Sequence, residues 1–106
     1  MSFEFTLNHD DTSPVNIGSI IPAGARLERI TTFATEAWDD SINTRLDIGI
    51  SGDITQIATS VPITAIGAIR NYTPNQFYAT DTQLIATLNS GSSTQGEARI
   101  TVRYKL

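Results

Sequence analysis

Hydrophobic residues fall at every second position in four stretches of the chain. Near the C-terminus Ala98, Ile100, Val102, Tyr104 and Leu106 alternate with Glu97, Arg99, Thr101, Arg103 and Lys105. Only an extended strand puts every second side chain on one face. The segment therefore predicts a strand with one buried and one wetted side. Phe3, Phe5 and Leu7 alternate likewise with Glu4, Thr6 and Asn8; Leu46, Ile48 and Ile50 with Asp47, Gly49 and Ser51; Leu84, Ala86 and Leu88 with Ile85 and Thr87. Arg26 to Thr35 predicts a further strand. Its apolar positions Leu27, Ile30 and Phe33 lie three apart, which a bulge accommodates because one extra residue exchanges the two faces. Ile54 to Ile69 reads as a short helical turn or loop followed by a strand, since Pro62 and Gly67 break any long helix.

Small polar residues, in all but one case with Gly or Pro, punctuate these runs at short intervals, at His9–Pro14, Pro22–Gly24, Trp38–Ser41, Ser51–Asp53 and Asn89–Ser93. Short strands between frequent turns predict an all-β fold, an antiparallel β-sandwich of jelly-roll-like form, with residues 1–106 as a single domain. Composition agrees. Lysine occurs once, and the abundant threonine and isoleucine are branched residues that favour extended chain over helix.

Charge and cysteine content narrow the function classes. Seven basic against eleven acidic residues give a net charge of −4, which argues against nucleic acid as a partner. With no cysteine, disulfide stapling and a cysteine-ligated zinc site are excluded. No apolar run approaches the ~20 residues of a membrane helix, and Met1-Ser2-Phe3-Glu4-Phe5 has neither the basic nor the apolar region of a signal peptide. The expectation is a protein made in the cytosol, without a membrane partner.

Four sets of residues approach catalytic or ligand motifs without completing them. Gly49-Ile50-Ser51-Gly52-Asp53 has Asp where a nucleophile elbow needs its final Gly, so it reads as a hairpin turn. Gly91-Ser92-Ser93-Thr94-Gln95-Gly96 has the glycine spacing of a phosphate loop, but Glu97 and Ala98 replace the required Lys and Ser/Thr. It reads as a flexible hairpin connection. His9 beside Asp10 and Asp11, and Asp39-Asp40 with Asp53, supply metal-ligand types in no spacing that fits a metal loop. No catalytic residue, metal or cofactor is expected. Asn71-Tyr72-Thr73 matches a glycosylation acceptor, which carries little weight without a secretory signal.

Two surface readings remain. Arg99, Arg103 and Lys105 share the polar side of the last strand, a stripe suited to an acidic protein surface. The alternative is a solvated face paired with carboxylates of a neighbouring strand, such as Glu4 if the termini are adjacent. Trp38, Tyr72, Phe77 and Tyr78 would form a stacking surface for a carbohydrate or a partner if exposed together. Otherwise they close the ends of the core.

The order of these segments resembles that of small tailed-phage virion proteins. The likeness rests on Ile21-Pro22-Ala23-Gly24-Ala25, Ile30-Thr31-Thr32-Phe33-Ala34, Ala37-Trp38-Asp39-Asp40 and Leu46 to Asp53, then on Leu84 to Leu88 and Thr94 to Tyr104. It implies a β-sandwich module, often trimeric, that decorates capsids or forms the head of a fibre. Its implied partners are copies of itself and the major capsid protein or other virion proteins, and its implied location is the virion, assembled in the bacterial cytoplasm. Some relatives carry a Gly-X-Y stalk. The glycines here show no such repeat, so attachment is expected through the folded surface. A carbohydrate- or receptor-binding module of a tail or fibre is the alternative role.

Overall fold

The computed structural model describes residues 1–11, 13–40 and 42–106. Among these residues nine strands run in chain order as β1 Ser2–Asn8, β2 Val15–Asn16, β3 Arg26–Glu36, β4 Arg45–Ile50, β5 Asp53–Ala58, β6 Ile69–Tyr72, β7 Gln76–Phe77, β8 Ile85–Asn89 and β9 Glu97–Lys105. They form two antiparallel sheets. The first has the order β1-β9-β3-β6, with β7 continuing along the β6 edge of β3; the second has the order β2-β8-β4-β5. The chain changes sheet at most of its connections. Only the β4–β5 hairpin and the β6–β7 step stay within one sheet.

The alternating residues behave as their period requires. Leu7, Ala98, Ile100 and Val102 from the first sheet, and Leu46, Ile48, Ala86 and Leu88 from the second, meet in a core completed by Ile17, Ile21, Leu27, Ile30 and Leu84. β1 pairs over its whole length with residues 97–103 of β9, so the first and last strands lie side by side. The bulge expected in β3 is present. Leu27 lies opposite Tyr104 and Arg29 opposite Arg103, leaving Glu28 as the extra residue. That insertion lets both Leu27 and Ile30 point inward.

Three local expectations give way. Residues 54–69 open with a strand, β5, rather than a helical turn, and only 59–68 form the irregular stretch before β6. The segment after β8 is not a hairpin connection, because β8 and β9 belong to different sheets and Gly91 to Gly96 bridges them. On β4, alternation predicts a wetted outward side, yet Asp47 and Gly49 are buried. Ile48 pairs with Ala58 and Ile50 with Asp53, so residues 54–57 of β5 stand against Gly49 alone and arch over it. A Cβ on Gly49 would collide with the carbonyl oxygen of Asp53 and the backbone of Ile54. The turns expected at 9–14 and 38–41 each include one position outside the described residues, Thr12 and Ser41.

Candidate functional site

Strand register decides which charged side chains meet on the outer side of the first sheet. Directly opposed residues share a face, which gives a row Ser2–Arg103–Arg29 across β1, β9 and β3. The next rows are Glu4–Thr101–Thr31–Asn71 and Thr6–Arg99–Phe33–Ile69, and at the far end Lys105 faces Arg26, which faces Phe77. Arg99, Arg103 and Lys105 thus stand together in solvent as the alternation of β9 predicts. Arg26 and Arg29 join them. The face therefore holds five of the seven basic residues of an acidic chain. The signal for the two added arginines lies in Leu27 and Ile30: once both must be buried, their flanking residues 26 and 29 turn outward.

The arrangement opposes like charges. Arg103 lies directly across from Arg29, and Lys105 across from Arg26; such pairs are destabilising by a few tenths of a kcal/mol or more. Relief comes from Glu28, whose carboxylate lies 3.5 Å from Arg103 Nε with both side chains well exposed. An exposed pair of this kind contributes about 0–1 kcal/mol. Glu4, the carboxylate that the sequence offers as a partner, is opposite Thr101 instead. Arg26 is pinned: its guanidinium donates to the Asn75 carbonyl at 3.0 Å and lies 5.9 Å from the centre of the Phe77 ring. Two shallow depressions follow the cations. One, of about 220 Å³, is lined by Glu28, Arg29, Thr73 and Arg103; the other, of about 400 Å³, includes Arg26, Phe77, Lys105 and Leu106.

The aromatic residues are distributed differently. Trp38 is 1% exposed, its indole N–H donates to Ser90 Oγ at 3.2 Å, and Gly96 lies so close that a Cβ there would enter the ring. Tyr78 is 6% exposed, and its hydroxyl donates to Gln56 Oε1 at 2.7 Å. Burial, with the Asp53 charge nearby, pushes its phenol up to about 12. Tyr72 is half-buried opposite Ile30, and burial also raises its pKa. Only Phe77 is exposed. The four rings do not make a common outer surface, because two of them serve the core and Trp38 lies just past the end of β3 opposite to Phe77.

The carboxylates of Asp39 and Asp40 are occupied by hydrogen-bond donors of the loops. Asp39 accepts from the Thr94 N–H and hydroxyl, both at 2.7 Å, and these bonds lower its pKa. Asp40 accepts from the N–H groups of Ser92 and Asn43 at 2.8 and 3.1 Å, which hold it at about 2. They tie the bridge between β8 and β9 to the end of β3. Among the described residues, no three His, Asp or Glu side chains gather as metal ligands.

No family model and no curated protein sequence matches the chain. Solved structures do. Its fold is shared with chains of two bacteriophage capsids. A chain in the capsid asymmetric unit of cyanophage Pam1 aligns at TM-score 0.73 and 15% identity, covering 100% of this chain and 84% of that one. A chain in the acidic stable capsid structure of Helicobacter pylori bacteriophage KHP30 aligns at TM-score 0.79 and 12% identity, covering 99% and 87%. At these identities the likeness is one of fold. The sandwich expected from the alternation, and from the resemblance to phage virion proteins, is the fold found.

Proposed function

We propose that this chain is a structural protein of a phage virion, a decoration or cement protein that binds the head surface as an oligomer and acts without turnover. The observation that carries the reading is the near full-length fold likeness to chains of two phage capsids. Counting β6 and β7 as one interrupted strand, the paired four-stranded sheets and their crossing connections support a jelly-roll form, an architecture used in capsids. The cationic face supplies the contact. Opposed like charges on an exposed sheet are relieved when an acidic protein surface covers them, and such complementarity sets encounter rate and register. Partners of this description are a major capsid protein and, within a trimer, further copies of the chain. Bridging neighbouring capsomers then makes their local opening less favourable. The burial of Trp38 and Tyr78 weighs against the glycan-binding alternative.

Electron microscopy and protein mass analysis of the native particle test this reading. Ordered density for the chain on the head is expected, and its absence from purified virions overturns the proposal. Arg99→Glu combined with Arg103→Glu is expected to weaken binding to particles lacking the chain at least tenfold while leaving the fold intact. Mass measurement in solution addresses the trimer, and a clean monomer at micromolar concentration removes preassembly.

A further inference from the structure

β1 is the outer strand of the first sheet, and its hydrogen bonds reveal which groups it leaves open. Met1 and Tyr104 exchange both backbone bonds, at 2.8 and 2.9 Å, and His9 donates to Gly96 at 2.9 Å. In an antiparallel pair bonded and non-bonded positions alternate, so Phe3, Phe5 and Leu7 also bond to β9. The N–H and C=O groups of Ser2, Glu4 and Thr6 therefore point away from the sheet, and among the described residues β1 pairs with no other strand. Asn8 ends this open stretch, because its N–H donates to the Asp11 carboxylate and its carbonyl accepts from the Asp11 N–H.

Edge strands are usually blunted by lysine, proline or a bulge. β1 has none of these: its sequence is Ser-Phe-Glu-Phe-Thr-Leu-Asn and its register with β9 is unbroken. Arg103 lies opposite Ser2, and Arg99 opposite Thr6. An added strand would lie two strand spacings, roughly 9.6 Å, from β9, with only the small side chains of Ser2 and Thr6 between it and the two arginines. Glu4 stands between those rows. On the inner side Phe3 and Phe5 are only partly buried.

We propose that the open edge of β1 receives an extended segment of a partner protein as an added strand, with acidic side chains facing outward opposite Ser2 and Thr6. The residue opposite Glu4 is basic or neutral, and the two inward residues are apolar and cover Phe3 and Phe5. Strand addition of this kind takes affinity from main-chain bonds and specificity from alternate side chains. A second copy of this chain fits less well. In the two-fold register that uses all three open positions, Glu4 would face the same glutamate of the copy, an unfavourable like-charge pair. The inference rests on the reading that this side of the molecule meets a virion protein.

The probe is the peptide Ser-Glu-Val-Lys-Val-Glu-Ser, acetylated and amidated, whose order reads identically in both directions so that no strand polarity is assumed. On the full chain, NMR-detected hydrogen exchange is expected to slow at the Glu4 and Thr6 amides when the peptide is added. Reversing the charges to Ser-Lys-Val-Glu-Val-Lys-Ser should weaken binding at least fivefold. Thr6→Pro removes one outward N–H, a change that an edge strand tolerates, and should abolish binding. Unchanged exchange at both amides at millimolar peptide overturns the proposal, as does equal binding of the two peptides. This readout on the unaltered chain stands even where Thr6→Pro fails to fold. Concentration-dependent dimers that Thr6→Pro abolishes would assign the edge to a second copy and overturn the partner segment. Particle binding retained by folded Thr6→Pro but lost in Arg99→Glu with Arg103→Glu would overturn strand addition while leaving the decoration reading in place.

Discussion

On β4 the outward residues Asp47 and Gly49 are buried, whereas on β9 the outward residues Arg99, Arg103 and Lys105 stand in solvent. Both strands are central in their sheets, and both show the same alternation in sequence. The difference lies in what covers them. β5 arches over Gly49, and Arg45, Thr59 and Ser60 close around Asp47, so the second sheet satisfies the outward carboxylate of Asp47 with its own residues. Nothing comparable covers the first sheet among the described residues, and its charges are opposed to one another. A polar group on the closed face contributes to folding. One on the open face is available to a partner and contributes little or nothing to stability.

Gly49→Val breaks the closed face most severely. Its side chain would occupy the space now held by the backbone of Asp53 and Ile54, so β5 must lift away. Overpacking of this kind costs about 3 kcal/mol, which for a domain this size lowers Tm by roughly 10 °C or more. Thermal unfolding followed by circular dichroism measures it. A Tm within 2 °C of the parent, about 0.4 kcal/mol by the same scaling, would mean that β5 does not depend on a bare backbone at position 49.

Asp47→Ala comes next. Asp47 is 5% exposed; its carboxylate accepts from the Ser60 N–H at 2.9 Å, from Thr59 at 3.1 Å and from Arg45 at 3.1 Å. Burial alone would raise its pKa, but these donors together hold it below the usual value of an aspartate. Removing the carboxylate leaves the Ser60 N–H without its acceptor and should cost about 1–3 kcal/mol. A lowered folded-state pKa means that the charged form stabilises the fold. That stabilisation is present above the unfolded pKa, about 3.9, and is lost as pH falls through the folded value. The variant should therefore lose less stability than the parent between pH 5 and pH 2, and parallel acid titrations of the two would refute the assignment.

The contrast between the sheets also explains what could be read from the residues alone. Period-two alternation locates β1, β4, β8 and β9, because a strand with one buried side must repeat every second residue. It carries no information about a covering segment, so Asp47 reads as solvent-facing although β5 and the loop after it bury it. The short strands β2, β6 and β7 have two to four residues, too few for a period to register. The cation stripe of β9 is legible for the same reason as its strand. Its extension to Arg26 and Arg29 depends on pairing across β3, and the buried state of Trp38 and Tyr78 on packing against Gly96 and Gln56, which only the folded chain supplies.

Arg29→Thr sharpens the open side of the comparison with the smallest effect. On an ordinary solvated face, deleting an exposed arginine changes stability little in either direction. Here Arg29 faces Arg103 across the β3–β9 pair, so its removal relieves a like-charge contact and leaves the Glu28–Arg103 pair in place. The expected result is a gain of a few tenths of a kcal/mol at low ionic strength. Salt separates this cause from a generic surface effect, since raising ionic strength screens the repulsion. Sodium chloride at 0.5 M should stabilise the parent more than Arg29→Thr and close the gap between them, as urea unfolding of both chains would report. A gap that persists unchanged in high salt would mean that the opposed arginines do not repel appreciably, and the open sheet would lose its main sign of being built for a partner.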